Sequence, residues 1–413
     1  MSTDIPVSQI EPAESDSTDQ KLQKSTLAEK RIAWQGEPLL GSSYGEEEIA
    51  AAVAAMRDSM DVSKGFGFTC QQILDFEAAF AKYCGSKHAI AVNSAGPGLD
   101  MAMRYLKLQP GDEVIVPAIN FMASPLAVMG AGGQCVWGEV DPQTLQLDPS
   151  DVEKRITPRT RAIFPVHMNG LAAPLEAYYE IAARHPHPKH GPPVIIGDAA
   201  RACGAEYRGE KIGKRGFCSI FSFHTMKNMV TLGEGGMITT DDDHFAAFCR
   251  STRFYGIATE DWGTSNVMTK VQAAVGLVQL RKLDGFIAAR RRIALRRHEL
   301  LAGIPNVMLP PDPPDCKHSY YVYTCVVSAA WAGEKRDALI KRMEQEFSVR
   351  CLVLNPPVYE TRKLLLEHGK GTRLPLSDQL GKRIICLPMH PAMSDSDNEY
   401  IAAAFRECVE SLS

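Results

Sequence analysis

Ser219-Ile220-Phe221-Ser222-Phe223-His224-Thr225-Met226-Lys227-Asn228 sets one lysine just beyond an apolar run, and Gly233-Glu234-Gly235-Gly236 turns the chain into a second run, Met237-Ile238-Thr239-Thr240. Short runs rich in β-branched and aromatic residues, bounded by glycine, read as buried strands. Upstream, Val194-Ile195-Ile196-Gly197-Asp198-Ala199-Ala200 reads the same way and delivers an aspartate at its end. Lys227 thus lies in a short connection between buried strands, where its amine can be drawn out of water.

Outward from this segment, strand and helix signals alternate. His88-Ala89-Ile90-Ala91-Val92 runs into Asn93-Ser94-Ala95-Gly96-Pro97-Gly98, and a helix is predicted over 99–106. Glu113-Val114-Ile115-Val116 follows the turn Gly111-Asp112, with further strands predicted over 134–140, 162–166 and 194–196. This order predicts an α/β fold, in which a large domain has a mostly parallel mixed sheet flanked by helices. Ligand-binding residues in such sheets gather beyond the carboxyl ends of strands. Ser94, Phe121, His167 and Asp198 all fall there, on one rim.

Helical spacing also marks 46–59 and 71–83, with Gly65-Phe66-Gly67-Phe68 as a flexible loop between them. A long apolar stripe runs from Met268 to about residue 302 and carries Arg290, Arg291, Arg292, Arg296 and Arg297, which read as a solvated face. Strand spacing over 320–327 and helical spacing over 335–347 and 398–412 predict a smaller C-terminal α+β domain. The expected division is a disordered tail over 1–33, a large domain over 34–285 and a small one over 286–413. The tail is rich in Ser, Asp, Glu, Gln and Pro, too polar to offset its ordering entropy.

Composition narrows the function classes. Asp and Glu number 49 against 45 Lys and Arg, which points to neither nucleic acid nor an anionic membrane as partner. No apolar run is long enough to span a bilayer, and the first residues lack a signal-peptide pattern. The 11 cysteines form no CxxC pair, so no disulfide framework or zinc site is expected, and reduced thiols in a cytoplasm are the reading. His185-Pro186-His187-Pro188-Lys189-His190 reads as a surface connection, and no metal is expected.

The chemistry concentrates on Lys227 and Asp198. A lysine that can bond an aldehyde, with a carboxylate that keeps a ring nitrogen protonated, is what pyridoxal phosphate requires. Taken singly, Asp198 would equally well cap a helix beginning at Ala199. Ser94, Ala95 and Gly96 open a helix, whose free amides and positive dipole end suit a phosphate. Ser222, five residues before Lys227, adds a hydroxyl. Phe121, in Pro117-Ala118-Ile119-Asn120-Phe121, is placed to stack on a flat ring or to join the core. His167, His224 and Asn120 are candidates for substrate contact, with structural roles as the alternative for the two histidines.

Spaced motifs in a fixed order now carry a resemblance. They are Phe76-Glu77, Pro110-Gly111-Asp112-Glu113-Val114-Ile115-Val116-Pro117, Asp198-Ala199-Ala200 and Ser222-Phe223-His224 with Lys227-Asn228. Gly233-Glu234-Gly235-Gly236, Gln272-Ala273-Ala274 with Gln279-Leu280, and Leu387-Pro388-Met389-His390-Pro391 complete the series. From about Gly65 to its end the chain resembles the DegT/DnrJ/EryC1/StrS sugar aminotransferases, of pyridoxal phosphate fold type I. The resemblance implies a homodimer with the site at its interface. Lys227 would hold the cofactor, Asp198 would pair with its ring nitrogen, Phe121 would stack on the ring and Ser222 would bind phosphate. Asn266 would reach the partner subunit's phosphate.

The chain departs from the family pattern at four places. Ala95-Gly96 replaces Gly-Thr, Gly197 replaces a glutamate, and Arg201 replaces the glutamine that meets the phenolic oxygen. Ser265-Asn266-Val267 replaces an Asn-aromatic-Arg triplet. Arg201 would favour the phenolic anion, or else meet a substrate anion or solvent. The resemblance implies transfer of an amino group from glutamate or glutamine to a keto-sugar or keto-cyclitol. Dehydration or elimination on the same scaffold is one rival, although that dehydratase branch carries histidine where Lys227 stands. A non-catalytic sensor or assembly protein is the other, and it would need neither Lys227 nor Asp198.

Overall fold

The computed structural model describes residues 40–61, 63, 69–354, 356–369 and 371–413. The expected tail over 1–33, a beginning near Trp34 and the loop 65–68 lie outside the described residues. Helices α1 (Glu46–Ser59) and α2 (Gln71–Cys84) precede β1 (His88–Val92), α3 (Ala95–Tyr105), β2 (Glu113–Pro117) and α4 (Ala123–Gly130). Then come β3 (Gln134–Gly138), α5 (Pro149–Arg155), β4 (Thr160–Ile163), α6 (Leu175–Arg184) and β5 (Val194–Asp198). Two short strands, β6 (Glu206–Tyr207) and β7 (Glu210–Lys211), lead to β8 (Cys218–Ser222), β9 (Gly236–Thr240) and α7 (Asp243–Thr252). The 31-residue helix α8 (Lys270–Leu300) follows.

Seven strands form the main sheet in the order β1-β9-β8-β5-β4-β2-β3. Only β9 runs antiparallel to its neighbours, pairing Val92 with Gly236 on one side and Ser222 with Gly236 on the other. The expected mostly parallel mixed sheet is therefore present. Because side chains alternate across a strand, neighbouring residues feed opposite cores. Val116, Ile196 and Ile220 pack with Leu99, Val128 and Phe245 under α3, α4 and α7. Ile115, Ile163 and Ile195 pack with Val152, Tyr178 and Ile181 under α5 and α6. Phe221 and Met237 join Phe76, Phe80 and Leu283 under α2 and α8. Both faces are covered, which is why these strands read as continuous apolar runs.

The C-terminal part contains β10 (Val307–Met308), β11 (Cys316–Lys317), β12 (Tyr323–Val327) and α9 (Glu334–Phe347). It ends with α10 (Lys363–His368), α11 (Pro375–Gly381), β13 (Ile384–Leu387) and α12 (Asp395–Leu412). Strands β10-β12-β13 form its sheet, and α9 and α12 close a core around Tyr323, Leu339, Ile385 and Phe405. The expected boundary at 285–286 falls inside α8. Val358, Tyr359, Leu365 and Leu374 pack into the large-domain core, Tyr359 edge-on to Trp137 with centroids 5.5 Å apart.

The arginines of α8 correct their reading as one solvated face. Arg291, Arg292 and Arg296 do form ion pairs with Asp312, Asp395 and Glu399, but Arg290 and Arg297 are 0% exposed.

Candidate active site

The carboxyl ends of β1, β2, β5 and β8 and the start of β9 meet at one rim. At the end of β5, Asp198 is buried and its Oδ1 accepts from the Ala200 amide at 3.0 Å. Its Oδ2 accepts from the Ser124 hydroxyl at 2.7 Å, and Ser124 in turn accepts from Asn120 Nδ2 at 3.0 Å. Asp198 is thus oriented by two donors, and α4 supplies one of them. Asn120 Oδ1 also accepts from the Phe121 amide at 2.6 Å, so its side chain belongs to this network. Phe121 itself is 55% exposed, presented at the rim and not packed in the core.

His167 lies on the other side of the sheet. A Cβ on Gly197, whose direction opposes the Asp198 side chain, would come within 3.0 Å of His167 Nε2. The imidazole is fully buried and accepts from the Ala173 amide at Nδ1, and burial pushes its pKa down to about 4. It fills the space that a glutamate at position 197 would need. Sequence placed it after the right strand but could not tell which face it takes.

At the phosphate end, Ser94 is the extended N-cap of α3 and makes no side-chain capping bond. The helix begins at Ala95, earlier than the expected 99–106, so Ala95 and Gly96 lie in its first turn, where amides lack intrahelical partners. A Cβ on Gly236 would sit 2.6 Å from the Ser94 carbonyl carbon and 2.8 Å from the Ala95 nitrogen. The lysine segment therefore presses directly on this turn. Asn266 is tied beside it in the same chain, its carbonyl accepting from Asn93 N at 2.9 Å.

Lys227 follows β8 in a tight turn. Ser222 Oγ accepts from the His224 amide at 3.3 Å, His224 Nδ1 from Met226 N at 3.3 Å, and Lys227 N donates to the His224 carbonyl at 2.8 Å. His224 thus shapes the turn, with Nε2 3.9 Å from Glu234. Lys227 Nζ lies 4.7 Å from the centroid of the Tyr321 ring, and the Arg201 guanidinium carbon lies 5.8 Å from the same centroid. Arg201 Nη1 is 3.4 Å from Asn169 Oδ1 and is buried, not turned to solvent.

The donor set fits a pyridoxal phosphate. It holds a helix N-terminus and a serine hydroxyl for an anion, a buried and oriented carboxylate for a ring N–H, and an amine for an aldehyde. Residues 44–406 match the DegT/DnrJ/EryC1/StrS aminotransferase family. The chain belongs to this family. The aminotransferase is 36% identical over 341 residues to GDP-perosamine synthase of Caulobacter vibrioides, covering 80% of this chain and 88% of that one. It is 31% identical over 383 residues to the Bacillus subtilis spore coat polysaccharide biosynthesis protein SpsC, covering 89% and 95%. Among solved structures, DesV of S. venezuelae, in complex with a ketimine intermediate, matches with a TM-score of 0.79 and 34% identity over 88% of this chain and 96% of that one. A further match is the aminotransferase TlmJ of Streptoalloteichus hindustanus, with a TM-score of 0.81 and 28% identity over 91% of this chain and all of that one.

The aminotransferase uses pyridoxal phosphate, and its fold is type I. Sequence reasoning missed Ser124 and Tyr321. Ser124 carries no motif of its own, and Tyr321 reaches Lys227 only through tertiary packing. Among the described residues no helix is long and apolar enough to cross a membrane, and no cluster of His, Cys, Asp or Glu could hold a metal.

Proposed function

We propose that this enzyme moves an amino group from glutamate or glutamine to the ketone of a sugar or cyclitol. The observation that carries the reading is the pairing of Lys227, in its tight turn, with a buried Asp198 on the same rim of a sugar-aminotransferase fold. Two relatives named for GDP-perosamine synthesis and spore coat polysaccharide support a carbohydrate ketone. Pyridoxal phosphate, when bound, supplies an electron sink for the carbon that gains or loses the amine.

The chain's residues do the rest. The first-turn amides of α3 and Ser222 would hold the phosphate, and Phe121 would pack on the ring. Asp198, held by Ser124 and Ala200, keeps the ring nitrogen protonated. Lys227 would hold the cofactor at rest; once the incoming amine displaces it, its freed amine would be placed to take the proton from the substrate carbon and then give it back, as base and then acid. We further propose a homodimer working in the cytoplasm, with Asn266 directed to the partner subunit's phosphate. Ile49 and Met56 on α1, Met60 just after it, and Tyr255, Ile257 and Trp262 in the loop before α8, are exposed apolar groups that suit such an interface.

The test is Lys227→Ala together with glutamate addition to the wild type. The wild type should change its visible absorbance on adding glutamate and aminate a member of a keto-sugar panel. Lys227→Ala should keep its fold and lose steady-state turnover; sustained transamination by that variant would refute the assignment.

A further inference from the structure

Arg290 is fully buried on α8, yet each of its hydrogen bonds goes to a backbone carbonyl. Nη1 donates to Tyr320 and Tyr321 at 3.2 Å each, and Nη2 donates to Gly41. Nε has no partner among the described residues. Burial lowers its pKa to about 10, so the group is still a cation at neutral pH. Among the described residues its charge is compensated only by carbonyl dipoles, which is costly, and an apolar side chain of similar volume would fill the space without that cost. What the arginine alone provides is the gathering of three carbonyls, from segments 249, 31 and 30 residues away in sequence.

Both of those segments touch Lys227. The Tyr321 ring faces its ε-amine at 4.7 Å. Tyr320, immediately before it, has φ +47°, a left-handed backbone that a bulky residue keeps only where its surroundings hold it. On the other side, Gly41 N donates to the Thr225 carbonyl at 2.8 Å. A Cβ on Gly41 would lie 2.2 Å from the Lys227 carbonyl oxygen. One guanidinium therefore fixes both the ring beside the amine and the segment pressed against the lysine's own peptide.

We propose that Arg290 is a positioning residue for Lys227, acting through Gly41 and Tyr321 to set where the amine is held; this rests on the aminotransferase reading above. The same helix carries a matched control. Arg297, about two turns on, is equally buried, with a pKa also lowered to about 10. Its bonds go to Asn398, Pro388 and Met393, all in the C-terminal part of the chain.

The experiment compares Arg290→Met, Arg297→Met and Gly41→Ala in the full chain. Cofactor-free protein is mixed with pyridoxal phosphate, and the rate at which visible absorbance develops is followed beside the thermal midpoint and the kcat and KM for glutamate. Both arginine variants should lower the thermal midpoint. Only Arg290→Met and Gly41→Ala should slow cofactor capture, by about ten- to a hundredfold, with kcat falling more than KM rises, as expected for a displaced reacting group. Capture at the wild-type rate in Arg290→Met, or equal slowing in Arg297→Met, would overturn the proposal. Should Arg290→Met not fold, Gly41→Ala decides, and a wild-type rate in it overturns the proposal equally. A wild type that develops no visible absorbance, or a Lys227→Ala variant that develops the same absorbance, would instead sink the aminotransferase reading.

Discussion

Ser124 donates its hydroxyl proton to Asp198 Oδ2 across 2.7 Å and accepts from Asn120 Nδ2 at 3.0 Å, so the carboxylate is aimed by a chain of two neutral side chains. Ser124→Ala breaks that chain in the middle. It strips one of two donors from Asp198 and leaves a buried amide N–H unpaired, a loss of about 1–3 kcal/mol. The expected result is a lower thermal midpoint and a dissociation constant for pyridoxal phosphate weakened about tenfold, read by equilibrium dialysis. A lowered midpoint with unchanged affinity would restrict Ser124 to a role in stability.

Gly236 is the point where the lysine segment and the phosphate turn share backbone. Gly236→Ala sets a methyl group 2.6 Å from the Ser94 carbonyl carbon, closer than real side chains come. Either the turn at Ser94 or the start of β9 must shift. Phosphate affinity should fall by about tenfold or more, since the first-turn amides lose their alignment. Competition by inorganic phosphate for cofactor binding checks this, because it reads the anion site alone.

The sheet and its rim were legible because the strands are buried on both faces, and β3, β5 and β8 end at Gly138, Asp198 and Ser222. The start of α3 was not, since Gly96, Pro97 and Gly98 read as a turn. Proline is tolerated there because first-turn amides need no intrahelical acceptor. The arginines of α8 show a second limit: composition favours a solvated run, and only tertiary packing reveals that Arg290 and Arg297 turn inward. Ser124 and Asp198 lie 74 residues apart, and nothing local in either segment announces the bond. His167 had the right position along the chain, but the face it takes was fixed by the missing side chain at Gly197.

Two buried histidines should make stability fall on acidification. His167 accepts the Ala173 amide at 3.0 Å and His318 the Tyr320 amide at 2.9 Å, both through Nδ1, so each is neutral with its proton on Nε2. Burial holds His167 down at about 4 and His318 at about 3, against about 6.5 in the unfolded chain. The unfolded chain therefore binds more protons below about pH 6.5, and the folded state loses stability as pH falls toward those lower values. Each histidine should remove about 2 kcal/mol between about pH 7 and pH 5. Urea unfolding across that range reads the slope, and His167→Asn, which keeps an acceptor but does not titrate, should remove roughly half of this histidine contribution.

Arg201 bears on how this site differs from its family. Its guanidinium and the Lys227 amine face the same Tyr321 ring, and its burial removes the option of a solvent-facing arginine. A fixed cation at the same ring should disfavour a second positive charge where Lys227 joins the cofactor. Arg201→Gln should then move the pH midpoint of the visible absorbance of the cofactor-loaded protein upward by about one unit. The direction follows from removing a like charge, which lets the protonated form persist to higher pH. If the titration curves coincide, the arginine serves the substrate instead, and the KM for an anionic ketone should rise while the spectrum stays put. Absorbance titration and steady-state kinetics on one preparation separate the two outcomes.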